Sequence, residues 1–271
     1  MSLDLRQGVV FTNMGRAFHP VYKYHWRVLQ LMTLAFLAAS AASFLRGEPL
    51  LAILGTGLNG ALAAFIAWAL TREYDPDREA LSLLSIVWIT LAAIAFGPLP
   101  LLPSAVFIGA ARFLNRIIGL PARRIEVLAI LMLPLALMIY YQNWVFGLLA
   151  ALTFSIEAYY EHFPRKEIFY AFLGFAAAFS FVSINGLPAF TAASIPVGAI
   201  TVVIPVLILI KILRLKQPHS RTDFNDLPIS LPRLRASIFL SLLIAILALR
   251  TGDSGFLLLA PLWAALLTAS M

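Results

Sequence analysis

Residues 125–160 read IEVLAILMLPLALMIYYQNWVFGLLAALTFSIEAYY, two apolar runs joined by the short turn YQN. Each run spans about 17 residues, which is close to the shortest helix that can cross a bilayer. The turn carries no charge, whereas two basic residues lie just before the pair, at Arg123 and Arg124, and two just after it. This pattern predicts a hairpin of two transmembrane helices with both ends on the same side of a membrane.

The same pattern occurs five times along the chain and predicts ten helices in five antiparallel hairpins. The predicted pairs are 27–45 with 49–70, 80–96 with 102–118, 125–141 with 144–160, 168–186 with 189–213, and 235–250 with 255–270. The composition agrees, with 61% hydrophobic residues, 12% charged residues and a mean hydropathy of +0.90. Because a soluble fold of this size could not bury so much apolar surface, we predict an all-α integral membrane protein, with an N-terminal segment at 1–26 and one membrane domain at 27–271.

The basic residues are distributed unevenly between the two predicted sides. Of the 20 lysines and arginines, only Arg46 and Arg250 fall on one side, and the remaining 18 fall on the other. Because lysine and arginine are enriched in cytoplasmic loops, we expect both termini to face the cytoplasm and the protein to lie in the inner membrane of the cell. The net charge of +7 arises beside hydrophobic spans, so the expected partners are membrane lipids rather than nucleic acid.

Each predicted hairpin begins near a proline followed by charged residues; these prolines are Pro20, Pro76, Pro121, Pro164 and Pro232. Two explanations remain open. The hairpin is a duplicated unit of about 40–45 residues, as repeat architectures show, or proline simply suits the first helical turn, where its missing N–H is not needed. The proline-rich stretch 96–106 also leaves two alternatives, a full crossing or a re-entrant break.

Polar residues inside the predicted spans are few, and an ionisable one there is a functional candidate. Glu157 lies near a helix end, where it is either a shallow carboxylate at the interface or a buried partner of an arginine from a neighbouring loop. Asn59 and Asn185 are expected to form hydrogen bonds between helices, as amides commonly do in membranes. Both are also candidate contacts along a substrate path.

The segment TREYDPDREA, residues 71–80, has the strongest local pattern for chemistry. Its carboxylates Asp75, Asp77 and Glu79 are candidate ligands of Mg²⁺, which prefers oxygen donors and often bridges to a phosphate. The basic loop at 112–124 is a candidate phosphate site because arginine suits phosphate oxygens; its residues are Arg112, Asn115, Arg116, Arg123 and Arg124. The alternative is structural, since an aspartate can cap the following helix and the acids can pair with Arg72 and Arg78.

Three functional classes remain open on the sequence alone. The first is a transporter or permease for a small solute or a lipid, which would account for the many helices and their proline and glycine breaks. The second is a non-catalytic subunit that packs against other membrane proteins. The third is a Mg²⁺-dependent enzyme that acts on a polyprenyl-phosphate or phospholipid-like substrate at the inner leaflet. The chain has no cysteine, which excludes disulfides and thiol catalysis.

Overall fold

A computed structural model describes residues 23–117, 121–222 and 226–271. Within those ranges every regular element is helical, and helices make up 79% of the described residues. The helices are α1 (Lys23–Leu45), α2 (Leu50–Tyr74), α3 (Glu79–Phe96), α4 (Leu101–Asn115), α5 (Arg124–Tyr140), α6 (Val145–Tyr160), α7 (Arg165–Asn185), α8 (Ile195–Arg214), α9 (Leu231–Ala248), α10 (Asp253–Leu258) and α11 (Ala260–Ser270). A short 3₁₀ turn, Leu249–Thr251, follows α9.

Among the described residues, six helices are long and apolar enough to cross a membrane. They are Tyr24–Leu45, Leu50–Tyr74, Glu79–Phe96, Arg165–Asn185, Ile195–Arg214 and Leu231–Thr251. Three further apolar helices, α4, α6 and α11, are shorter. The all-helical architecture is therefore confirmed and is compatible with a membrane protein, whereas ten complete spans are not confirmed.

Two predicted helices differ from the observed ones, and proline accounts for both differences. The predicted span 255–270 is divided into α10 and α11 at Leu259, and Pro261 lies in the first turn of α11. Proline has no N–H for a helical hydrogen bond and its ring clashes with the preceding turn. The predicted span 189–213 begins only at Ile195, with Pro196 in its first turn, so residues 186–194 form a non-helical connection.

Helices that follow one another in sequence are not always the main packing partners. The pairs α1–α2, α5–α6 and α6–α7 pack closely, but α3 packs mainly against α2 and α11. Helix α8 packs against α11 and α9, whereas α7 packs against α6 and α5. The repeated hairpin is therefore not confirmed. Of the prolines predicted to mark helix starts, Pro164 and Pro232 lie at the beginnings of α7 and α9, and Pro20 lies outside the described residues.

The bundle has two hydrophobic cores. The larger core lies among α4, α6, α9 and α11 and contains large side chains such as Phe107, Phe154 and Trp263. The smaller core lies among α1, α2 and α3 and consists mostly of alanines, with Trp68 as its largest member. Alanine allows the backbones of neighbouring helices to approach closely, which is how helices usually associate in membranes.

The connections between helices lie alternately at two ends of the bundle. One end is called the basic end. It holds the connections α2–α3, α4–α5, α6–α7 and α8–α9, and contacts between side chains bring helix ends together there. The other end, called the neutral end, holds the turns after α1, α3, α5, α7 and α9, and its basic residues are Arg46 and Arg250. This is the separation of charge that the loops predicted; which end faces the cytoplasm stays a prediction.

Gly174 allows α7 to approach α6 closely. A Cβ atom built there would lie 2.6 Å from the backbone nitrogen of Ala151 and 2.8 Å from its Cα, so α7 could not stay in place against α6. We expect Gly174→Ala to lower the free energy of unfolding in mixed micelles by about 1–3 kcal/mol, the usual cost of overpacking.

The matched control is Gly109→Ala, in the middle of α4, where a new Cβ would meet nothing within 4 Å. This change should leave stability unaltered or raise it by up to about 1 kcal/mol, because alanine is the better helix former. Equal effects of the two substitutions would contradict the described α6–α7 packing.

Candidate functional site

Glu157 is a deeply buried acidic residue at the basic end, and its carboxylate bridges several helices. It lies near the end of α6 with 1% of its surface exposed. Arg233, in the first turn of α9, donates to one of its oxygens at 2.6 Å, and Arg116, at the end of α4, donates to the other. Of the two alternatives for Glu157, the structure thus has the buried partner of an arginine.

Glu161 completes this group of charges. It lies 2.9 Å from Arg116 and 2.7 Å from Arg233, so two acids and two arginines form a closed set. Arg233 also donates to the backbone carbonyl of Leu114 at 3.2 Å. These bonds hold the ends of α4 and α6 to the start of α9, and we call the four side chains the α4–α6–α9 ion cluster.

A second buried pair holds α2 to α4. Arg112 donates to the Glu73 carboxylate at 3.0 Å, and Asn115 donates to the Glu73 carbonyl at 2.8 Å. The neighbouring Tyr74 is fully buried, and its hydroxyl donates to Ser241 of α9 at 2.7 Å. Arg112, Asn115 and Arg116 therefore have partners within the protein.

The remaining residues of the predicted phosphate site belong to the start of α5. Arg123 and Arg124 are exposed there, after residues 118–120, which lie outside the described part. The phosphate site at 112–124 stays a prediction to which these contacts add no support.

The three carboxylates predicted to bind Mg²⁺ each contact a different partner. Asp75 lies 2.5 Å from the Lys211 amine, and Glu79 lies 2.6 Å from Arg72. Asp77 accepts hydrogen bonds from the backbone N–H groups of His219 and Ser220 at 2.9 and 2.8 Å. Within the described ranges no group of three histidine or acidic residues is close enough to hold a metal ion. The residues do not fit a magnesium centre, and we derive no reaction step from one.

Asp77 anchors the segment before α9 to the α2–α3 connection. Partial burial alone would raise the pKa of its carboxyl group, but the hydrogen bonds from Ser220 and from the backbone of His219 outweigh this and hold the pKa below its usual value. A lowered pKa means that the contact stabilises the fold above the ordinary pKa of aspartate and is lost as the pH falls through the lowered one. At neutral pH the anchor is fully formed.

At the neutral end, Asn59 makes the most informative polar contact. Its amide donates to the backbone carbonyl of Leu99 at 2.8 Å and accepts from the backbone N–H of the same residue at 2.8 Å. Leu99 lies in the non-helical turn between α3 and α4 and is 4% exposed. Asn59 therefore links α2 to the α3–α4 turn rather than to another helix. Asn185 instead donates to Phe181 of its own helix, and it is exposed.

Part of the turn that Asn59 holds is buried. Leu99 is 4% exposed, whereas Pro98 and Leu102 are exposed. The Arg46 guanidinium, at the neutral end, bonds to the Ile94 carbonyl in the last turn of α3, so α3 reaches that end. The two alternatives for residues 96–106, a full crossing and a re-entrant break, both stay open.

A second interruption of helical backbone lies between α10 and α11, at Leu259. Helix α11 has 11 residues, and Lys211 bonds to the Ala269 carbonyl near its end, so this break lies about 15–16 Å from the basic end. Leu99 and Ala260 belong to the same hydrophobic core, and Leu257 packs against that core. The α3–α4 turn and the break at Leu259 therefore border one hydrophobic core.

Two buried hydrogen-bond donors lie on the helices that begin at these breaks. The Ser104 hydroxyl lies in the first turn of α4, and the Trp263 indole N–H lies in the first turn of α11; the residues are 0% and 1% exposed. Neither donor has a hydrogen-bond partner within the described ranges. An unpaired buried donor costs about 1–3 kcal/mol, so each is a site where a ligand could be stabilised.

Sequence reasoning missed several of these residues. Ser104 and Trp263 lie in the first turns of helices that begin at proline-containing breaks. That position in the sequence could have identified them as candidate site residues. Arg46 donates to the Ile94 carbonyl at 3.2 Å and so satisfies the end of α3. Arg250 donates to Pro188 at 2.7 Å and holds the α7–α8 connection. Only the three-dimensional contacts reveal these partners.

The comparisons with known proteins add nothing to the geometry. No family model, no curated protein and no solved structure matches this chain. The helices alone define the class, a polytopic α-helical membrane protein.

The α4–α6–α9 ion cluster gives a direct test of the arrangement. Glu157→Gln removes the central charge and leaves Arg116 and Arg233 with one acidic partner in place of two. We expect a loss of about 3–5 kcal/mol in the free energy of unfolding, which is typical when one member of a buried ion pair is removed.

The control is the exposed pair Arg221–Asp226, whose side chains are 62% and 69% exposed. Asp226→Asn should change stability by less than about 1 kcal/mol. Unfolding in mixed micelles, followed by tryptophan fluorescence, measures both variants. A loss for Glu157→Gln no larger than that of the control would show that Glu157 is not buried among these charges.

Proposed function

We propose that this protein is a transporter for a small solute or lipid, with its substrate path between the α3–α4 turn and the α10–α11 break. One observation carries the proposal, namely that these two interruptions of helical backbone border the same hydrophobic core. Within a membrane, non-helical backbone is tolerated only when it is buried in protein or lines a cavity. In transporters, discontinuous helices of this kind form the substrate site near the middle of the membrane.

Three features of the described residues support this function. Asn59 satisfies both backbone groups of Leu99, which keeps the α3–α4 turn stable without a helix around it. The donors of Ser104 and Trp263 are buried beside the breaks and unpaired within the described part of the chain. The ion pairs described above lie toward the two ends of the bundle, and the break at Leu259 is flanked by uncharged residues. Arg46 lies beside the α3–α4 turn, where it bonds to the Ile94 carbonyl.

The other two classes gain no comparable support. The carboxylates of an enzyme acting on a lipid phosphate are held by Lys211, by backbone N–H groups and by Arg72. A subunit that packs against other proteins would need an interface, and the contacts within one chain do not identify one. Transport is therefore the proposal that the geometry favours.

Access of water to the break tests the proposal. The chain contains no cysteine, so a single introduced thiol reports on one position. Ala260 lies at the break with 3% of its surface exposed. In intact membrane vesicles, we expect Ala260→Cys to react with a hydrophilic thiosulfonate reagent within minutes to hours, because a transport path opens to water for part of the time.

The matched control is Ala245→Cys, an alanine that is 0% exposed within the continuous helix α9. It should stay unreactive in the folded protein and become reactive only in denaturant. If Ala260→Cys is as unreactive as this control over many hours, no water path exists at the break and the proposed function is wrong.

The unpaired donors give a second, independent test. Ser104→Ala removes one of these donors with little change in shape, whereas Trp263→Phe would also leave a cavity. Because the Ser104 hydroxyl has no hydrogen-bond partner within the described residues, we expect the free energy of unfolding of Ser104→Ala to stay within about 1 kcal/mol of the wild-type value or to rise. A loss of more than about 2 kcal/mol would show that this hydroxyl stabilises the fold, and it would then cease to support a ligand site.

A further inference from the structure

Two adjoining cavities lie between α1 and α3, on the flank of the bundle near its basic end. The first, called the loop cavity, has a volume of about 540 Å³ and is lined by Tyr24, Ser220 and residues 76–81. The second, called the α1–α3 groove, has a volume of about 580 Å³ and is lined by Arg27, Gln30, Leu31, Thr33, Leu34 and Leu83. They adjoin because the Arg27 guanidinium lies over the Tyr24 ring, 5.7 Å from its centre.

The α1–α3 groove changes from polar to apolar along its length. Arg27, Gln30, Leu31 and Leu34 share one face of α1, since residues three and four apart lie above one another on a helix. The polar pair lies toward the basic end. The stretch from Arg27 to Leu34 covers about 10 Å of helix, and its leucines lie toward the middle of the membrane. Leu83 of α3 lines the groove with them. This order matches a lipid, with its head group at the surface and its acyl chains deeper.

The charges around the head-group position favour an anion. The acids that line the loop cavity are already engaged, because Glu79 binds Arg72 and Asp77 accepts two backbone N–H groups. Arg27 is exposed, and its guanidinium contacts the Tyr24 ring. Arg78 is 55% exposed and lies 3.8 Å from Asp75, which Lys211 approaches more closely at 2.5 Å. Arg72, Arg78 and Lys211 match the three carboxylates Asp75, Asp77 and Glu79 in number, so among these described groups the charge of Arg27 is left over for a ligand.

We infer that the α1–α3 groove is a binding site for one anionic phospholipid. The phosphate lies at Arg27 and Gln30, with Arg78 at the mouth of the loop cavity, and an acyl chain lies along Leu31, Leu34 and Leu83. This site is separate from the proposed transport path, since it faces the surrounding membrane rather than the interior of the bundle. It would stay valid if the transport proposal failed.

The test measures how phosphatidylglycerol changes the Tm of the purified full chain in a neutral detergent. A ligand that binds the folded state raises Tm. We expect phosphatidylglycerol to raise the wild-type Tm by several degrees and phosphatidylcholine to raise it much less. In Arg27→Gln the phosphatidylglycerol shift should fall to less than half. Arg27 is exposed, so this change should leave the fold intact.

Two matched controls separate this site from general attraction to a basic surface. Arg124→Gln removes an exposed arginine at the same end but on α5, and it should retain the full shift. Leu83→Trp fills the groove and should abolish the shift, whereas Leu84→Trp, next to it on α3 and 38% exposed, should retain the shift. Equal losses in Arg27→Gln and Arg124→Gln would overturn the proposal, because the lipid would then bind by charge alone.

A separate experiment distinguishes a lipid phosphate from a soluble phosphate. Glycerol 3-phosphate carries the charge without acyl chains, and we expect it to leave Tm unchanged at millimolar concentration. A full shift with glycerol 3-phosphate would show a site for a soluble phosphate and not for a lipid. No shift of the wild-type protein with phosphatidylglycerol would mean that a neutral lipid or a partner helix covers the groove, and the inference would be wrong.

Discussion

The whole arrangement depends on one constraint, that polar backbone groups inside a membrane must find hydrogen-bond partners within the protein. Asn59 shows how this chain meets the constraint. One amide side chain satisfies both the N–H and the C=O of Leu99, at 2.8 Å each, and the chain can therefore turn within the bundle. Without that amide, the turn would leave two buried polar groups unpaired and would have to move to the surface.

A related cost explains why the charges are separated between the two ends. Burying an ion pair removes two charged groups from water, which cancels much of the stability that the pair provides. Such a pair therefore contributes mainly to specificity, because each charge must be matched by a particular partner. At the basic end, Glu157 accepts from arginines of two other helices, and Asp75 selects Lys211 of α8. These contacts set which helix ends lie together. At the neutral end, Arg46 and Arg250 bond to backbone carbonyls instead, where two non-helical connections need donors.

The helices were predictable because their signal is local. Apolar runs, charged flanks and prolines predicted the helix positions. The differences at Leu259 and Ile195 follow from Pro261 and Pro196, whose effect on the helix boundaries the prediction did not include. The ion pairs were not predictable in the same way. Asp75 and Lys211 are 136 residues apart, and Glu157 and Arg233 are 76 apart. Each acid near a helix end had several arginines within reach of the same membrane surface, so spacing could not select its partner. The acids at 75–79 suggested a metal site because they are close together in the sequence. In the structure each of them has a separate partner.

Helix α3 connects the two proposed sites. Its first half lines the α1–α3 groove through Leu83, and its last turn leads into the Leu99 turn, which borders the same hydrophobic core as the α10–α11 break. The helix has 18 residues without an internal proline, so one continuous helix joins the two sites. Any movement of α3 that opened the break would also change the α1–α3 groove. Because coupling between two sites acts equally in both directions, such a movement would link lipid binding and the transport path by the same free energy.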